Sequence, residues 1–152
     1  MRPTWVQASA SEGVLTDRVL NILLIEDDQV DVMNVKRSFD KNQIANPLYV
    51  AINGIDALEM LRSGAIPDER RIILLDLNMP KMSGLEFLRE LRADPQLQSI
   101  PVIVLTTSND ERDKIEAYNL NVAGYLLKPV TFINFVDVMG TLNKYWTLVE
   151  LP

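Results

Sequence analysis

Five short apolar runs mark the chain: Ile22 to Ile25, Leu48 to Ile52, Ile72 to Leu75, Val102 to Leu105 and Gly124 to Leu127. They are continuous rather than alternating, the pattern of strands buried on both faces. Between them the apolar residues recur at helical spacing. Val32, Val35 and Phe39 predict a helix over about 29–41 with Asp28 as its N-cap. Asn53-Gly54 breaks the second strand, and Ala57, Leu58 and Leu61 give the inner face of a short helix. Ser83 and Glu86 fit a capping box that opens a helix with Leu85, Leu88 and Leu91 inward, ended by Asp94-Pro95. Ser108 and Glu111 fit a second box, opening a helix that carries Ile115 and Tyr118. Thr131 caps the last helix, which runs to about Trp146 with Phe135, Met139, Leu142 and Trp146 on one stripe.

Strand then helix, five times over, calls for a parallel sheet covered by helices on both faces. Right-handed crossovers make it an open, doubly wound α/β sheet of five strands, most simply in the order 2-1-3-4-5. Residues 1–19 are small and polar with scattered apolar positions and read as an N-terminal extension, in which Trp5 and Val6 are the residues able to dock on the body. The domain proper is expected over 20–147, with a short C-terminal tail over 148–152.

Composition narrows the function. A chain of 152 residues with 47% hydrophobic content fits one folded domain. The net charge of −6 argues against a nucleic-acid partner. No apolar run reaches the roughly 18–20 residues of a membrane span, and the first residues lack the basic start and apolar core of a secretion signal. The default location is the cytoplasm. With no cysteine there is no disulfide framework. With no histidine there is no phosphohistidine, histidine base or histidine metal ligand.

In a sheet of this kind, ligands bind beyond the carboxyl ends of the strands, where the strand order reverses. Glu26 and Asp27 fall at the end of the first strand, Asp76 at the end of the third, Thr106 at the end of the fourth and Lys128 at the end of the fifth. A single Asp at a strand end is ordinarily a solvated turn residue; the coincidence of four strand ends argues otherwise here. Three converging carboxylates repel one another, and a divalent cation relieves that repulsion. Donors that are oxygen only select a hard ion, and Mg²⁺ fits. An Asp beside Mg²⁺ and a lysine suits attack on phosphorus to give an aspartyl phosphate. Lys128 and the ion then offset charge on the phosphoryl oxygens, and the Thr106 hydroxyl can donate to one of them.

The segments 22–28 (Ile-Leu-Leu-Ile-Glu-Asp-Asp), 74–80 (Leu-Leu-Asp-Leu-Asn-Met-Pro), 104–107 (Val-Leu-Thr-Thr) and 125–129 (Tyr-Leu-Leu-Lys-Pro) together resemble the receiver domain of bacterial two-component response regulators, over about residues 20–147. The resemblance implies a flavodoxin-like receiver fold with Asp76 as phosphoacceptor. It implies Glu26, Asp27, Asp76 and the backbone carbonyl of Asn78 as Mg²⁺ ligands, and Thr106 and Lys128 as contacts to the phosphoryl group. Tyr125 becomes the aromatic switch, moving inward as Thr106 is drawn to the phosphate. A cis peptide at Lys128-Pro129 is also implied. Glu26 stands where Asp is more frequent, and Thr107 where a smaller residue is usual. Asn78 and Thr107 flank the phosphate and are expected to tune its hydrolysis. Asp28, a third consecutive acid, suits a helix cap better than a metal ligand.

After Lys128 only 24 residues remain, room for one helix and a tail, so the expectation is a stand-alone receiver that signals through protein contacts. Phe132, Val136 and Tyr145 flank the apolar stripe of the last helix and widen it beyond one core face. The ending from Tyr145 to Pro152 resembles the small regulators that serve phytochrome-type histidine kinases. That implies a sensor histidine kinase as phosphoryl donor and a homodimer through the last strand and flanking helices. Such a switch catalyses only its own phosphorylation and dephosphorylation and is not an enzyme toward outside substrates. Two other functions use an aspartate on such a sheet. An aspartate-nucleophile phosphatase needs a second acid two residues after the nucleophile, where Asn78 stands. A receiver-like interaction module without phosphoryl turnover does not need the full set of Glu26, Asp27, Asp76, Thr106 and Lys128.

Overall fold

A computed structural model describes residues 19–152. Apart from Val19, the N-terminal extension, with Trp5 and Val6, lies outside the described residues. The elements alternate without exception: β1 (Asn21–Ile25), α1 (Gln29–Lys41), β2 (Leu48–Ala51), α2 (Gly54–Ser63), β3 (Arg71–Leu75), α3 (Gly84–Ala93), β4 (Val102–Thr106), α4 (Glu111–Asn119), β5 (Gly124–Leu127) and α5 (Phe132–Leu148). All strand pairings are parallel and the order is β2-β1-β3-β4-β5, as the apolar runs predict.

The two-residue period of a strand sorts the apolar runs into two cores. Leu23, Ile25, Ile73, Leu75, Val102 and Val104 face α2, α3 and α4, where they meet Leu58, Leu61, Phe87, Leu88, Leu91 and Ala117. Their neighbours Ile22, Leu24, Ile72, Leu74, Ile103 and Leu105 face α1 and α5, against Val35, Phe39, Phe135, Met139 and Trp146. Each large side chain buried this way stabilises the fold by about 1.5–3 kcal/mol before entropy is counted. The predicted stripe of α5 is fully buried, whereas Phe132 and Val136 are half-buried and Tyr145 is exposed.

Local chemistry sets the helix ends. Asp28 accepts from the N–H groups of Val30 and Asp31, the Ser83–Glu86 box is closed in both directions, and Thr131 accepts from Asn134 N–H. The second predicted box is not formed. Asp110 caps α4, accepting from Arg112 N–H, because the Ser108 hydroxyl is spent donating to Asp113 Oδ2 at 2.6 Å. The turn of α4 also differs from a core helix: Ala117 is its buried residue, while Ile115 and Tyr118 are half or more exposed. Sequence reading missed Arg92, whose guanidinium donates to the carbonyls of Gln98, Ile100, Leu120 and Asn121 and so ties the end of α3 to the end of α4. After α5 the chain turns back. Leu151 packs on the α1–α5 core, and the Pro152 carbonyl accepts from Arg70 N–H at 2.8 Å.

Gly84 positions the site. A Cβ there would lie 2.5 Å from the Asp76 carbonyl oxygen and 2.6 Å from Leu77 Cα. Only glycine lets the first turn of α3 close on the strand end that carries Asp76, where Gly84 N–H donates to the Leu77 carbonyl at 3.0 Å.

Candidate metal and phosphoacceptor site

The carboxyl ends of β1, β3, β4 and β5 converge. Glu26 N–H donates to the Ala51 carbonyl and Asp76 N–H to the Ile25 carbonyl, so both acids leave the sheet with their backbones still in the ladder. Carboxylate oxygens of Glu26, Asp27 and Asp76 lie within 4.8 Å of one another, with Glu26 and Asp76 buried and Asp27 exposed. Among the described residues this is the one such group. Like charges this close, with little water around two of them, demand positive charge. Oxygen-only donors with one side open to solvent fit a hard divalent ion that keeps part of its water shell.

Part of the compensation comes from the chain. Lys128, held at the end of β5 by a 2.7 Å bond from its N–H to the Thr106 carbonyl, sends its ammonium into the cluster. Its Nζ lies 2.8 Å from Glu26 Oε1, 2.9 Å from Asp31 Oδ2 and 3.5 Å from Asp76 Oδ2. Burial works against the Lys128 ammonium, but its hydrogen bonds to Glu26 and Asp31 outweigh that and hold its pKa above the usual lysine value. Burial also dominates at Glu26 and, despite the hydrogen bond from Lys128, pushes its carboxyl up to about 7. In the metal-free state the Glu26 carboxyl therefore holds its proton to higher pH than a solvated glutamate does.

The two oxygens of Asp76 are unequal. Oδ1 accepts from the Thr106 hydroxyl at 2.8 Å and from Asn78 N–H at 3.3 Å. Oδ2 has the longer contact with Lys128 and is the freer of the two. From Thr106 the bonding continues outward. Ser108 N–H donates to Thr106 Oγ1 at 3.3 Å, and the Tyr125 hydroxyl donates to the Ser108 carbonyl at 2.9 Å. Tyr125 is half-buried, with the Lys114 ammonium 5.9 Å from its ring centroid; burial raises its phenol pKa. Asn78 Nδ2 donates to Thr107 Oγ1 at 3.3 Å, linking the two flanking residues across the site.

The structure therefore brings together Glu26, Asp27, Asp76, Thr106 and Lys128, with Asn78 bonded to Asp76 and Tyr125 connected through Ser108. Asp28 serves as the α1 cap, and its own N–H donates to Glu26 Oε2 at 3.1 Å. One expectation is corrected: there is no cis peptide among the described residues, so Lys128-Pro129 is trans. Proline narrows the trans preference but does not reverse it. Asp31 was missed. As an acid in the first turn of α1 it looks like an ordinary helix-dipole residue, and no local signal points to a lysine 97 residues away.

The model of the response regulator receiver domain matches residues 22–139. The probable methanogenesis regulatory protein FilR2 of Methanothrix harundinacea is 35% identical over 127 residues, 82% of each chain. The response regulator Rcp1 of Synechocystis sp. is 36% identical over 135 residues, 86% of this chain and 92% of its own. A solved structure of Rcp1 in its Mn²⁺-bound form superposes with a TM-score of 0.77 over 88% of this chain and 99% of that one. The phosphorylated cyanobacterial phytochrome response regulator RcpA, 31% identical, superposes with a TM-score of 0.79 over the same shares. With its motifs, its strand order and these likenesses, the chain belongs to the response regulator receiver domain family.

Proposed function

We propose that this protein is a phosphorylation-controlled switch. Asp76 accepts a phosphoryl group from a phosphohistidine on a partner histidine kinase. The observation that carries this reading is the meeting of Asp76 with Glu26, Asp27, Thr106 and Lys128 at one sheet edge. Asp76 Oδ2 attacks phosphorus as the phosphorus–nitrogen bond of the donor breaks, and the released imidazole takes its proton from solvent. Lys128 and the Thr106 hydroxyl receive the phosphoryl oxygens. Glu26, Asp27, Asp76 and the Asn78 carbonyl would hold Mg²⁺, which when bound offsets charge on the transferring group. Asn78 and Thr107 steer the water that later removes the phosphate. No outside substrate is turned over.

Drawing Thr106 toward a phosphoryl oxygen disturbs the path through Ser108 to Tyr125, so the change is read out along α4 and β5. Ile115, Tyr118 and Leu127 are exposed there. That surface supports a homodimer through β5 and its flanking helices. The likeness to RcpA supports a phytochrome-type kinase as donor. In this reading the receiver spans 20–147, after an extension over 1–19 and before a tail over 148–152. No helix among the described residues is long and apolar enough to cross a membrane, which agrees with a cytoplasmic site of action. Incubation with Mg²⁺ and acetyl phosphate should add one phosphoryl mass to the intact protein but none to Asp76→Asn. Equal masses in the two would sink the proposal.

A further inference from the structure

An ammonium group has three N–H donors. Lys128 spends its two short contacts on Glu26 and Asp31 and reaches Asp76 only at 3.5 Å. These partners differ in kind. Glu26 belongs to the acidic group that would hold a cation, and its second oxygen already accepts from Asp28 N–H. Asp31 stands outside that group, on the first turn of α1, where Asp28 Oδ1 accepts its N–H at 3.3 Å. Its side chain is 20% exposed, against 7% for Lys128. Any ion that draws on Glu26 weakens the Glu26–Lys128 contact and leaves the Asp31 contact intact. Without Asp31, a buried ammonium would keep only Glu26 and Asp76 and would close on Asp76 Oδ2, the oxygen proposed to attack.

We propose that Asp31 is a positioning residue that anchors the Lys128 ammonium beside Asp76 and keeps it from covering the nucleophilic oxygen. The inference deepens the phosphoacceptor reading and rests on it for its chemical consequence. The anchoring itself is tested without metal or phosphate. In a proton–nitrogen correlation spectrum of lysine ammonium groups, the metal-free protein should show one slowly exchanging signal that is lost in Lys128→Ala. Asp31→Asn removes a charge-assisted hydrogen bond and should speed exchange of that signal by about tenfold or more. Asp31→Glu restores the charge and should keep exchange within about twofold of the parent. Unchanged exchange in Asp31→Asn overturns the proposal, whatever Asp76 does.

The chemical arm follows the rate of mass gain with Mg²⁺ and acetyl phosphate. Asp31→Asn should be about tenfold slower and Asp31→Glu nearly native. Equal rates for Asp31→Asn and the parent overturn the role in keeping the nucleophile clear. If the parent gains no mass at all, the phosphoacceptor reading fails, and the ammonium spectrum still decides whether Asp31 holds Lys128.

Discussion

The two ends of the proposed signalling path are built differently. At the β1–β3 end, every residue of β1 and the last four of β3 are buried, and Glu26, Asp76 and Thr106 are buried with them. Each of those polar groups has partners fixed by backbone or ammonium. At the α4–β5 end, α4 buries a single residue, and β5 is an edge strand whose last position, Leu127, is exposed. Few buried contacts mean low local stability, and elements that move are drawn from that end of the scale. The proposed chemistry thus has a rigid seat, and the proposed response a loose one. The link between them is the short chain of bonds from Asp76 through Thr106 and Ser108 to Tyr125.

Removing the ammonium should show the largest effect. Lys128→Met leaves Glu26, Asp31 and Asp76 without their shared cation, and losing one partner of a buried ionic group costs about 3–5 kcal/mol. Urea unfolding of the metal-free protein checks this, and adding Mg²⁺ should recover part of the loss. With Asp76 intact, phosphorylation of Lys128→Ala should persist while its effect on dimerisation weakens. A full dimerisation response in that variant would detach Lys128 from the relay.

The pH dependence should be smaller and has a definite sign. Burial raises the Glu26 pKa to about 7 in the folded protein, against 4.5 for a solvated glutamate. Between those values the folded state holds more protons than the unfolded one, so stability falls as pH rises. In the metal-free protein that slope is on the order of 2 kcal/mol across the window. Exposed acids with lowered pKa, such as Glu86, Asp94 and Asp110, act below it and with opposite sign. Thermal unfolding in a chelator from about pH 5 to 7 measures it, and Glu26→Gln should flatten it. A rise in stability with pH across that window, in the parent alone, would contradict the assignment.

The smallest effects belong to the loose end. Ile115→Ala and Tyr118→Ala remove exposed side chains and should change stability by about 0.5 kcal/mol or less. The same changes should weaken self-association if that face is where copies meet. A loss comparable to a core truncation would mean that α4 is not loosely held.

Much of this contrast was legible in the sequence, and the gaps have physical causes. Strand order and the meeting of Glu26, Asp27, Asp76, Thr106 and Lys128 follow from continuous apolar runs and the rule for strand ends, which needs no side-chain detail. The Ser83 box was legible because its two residues have no competitors nearby. At α4 two acceptors stand within three residues, and Asp113 captures the Ser108 hydroxyl, so the cap moved to Asp110. Asp31 and Arg92 were hidden for a related reason. Their partners lie far along the chain or are backbone carbonyls, and neither leaves a pattern in sequence.

One measurement bears most directly on Asp76. After reaction with Mg²⁺ and acetyl phosphate, borohydride trapping reduces an acyl phosphate, and tryptic cleavage after Arg71 and Lys81 releases the peptide 72–81, whose single carboxylate side chain is Asp76. A phosphoacceptor Asp76 predicts the reduction product in that peptide alone. Label on any other peptide, or none in this one, would contradict it.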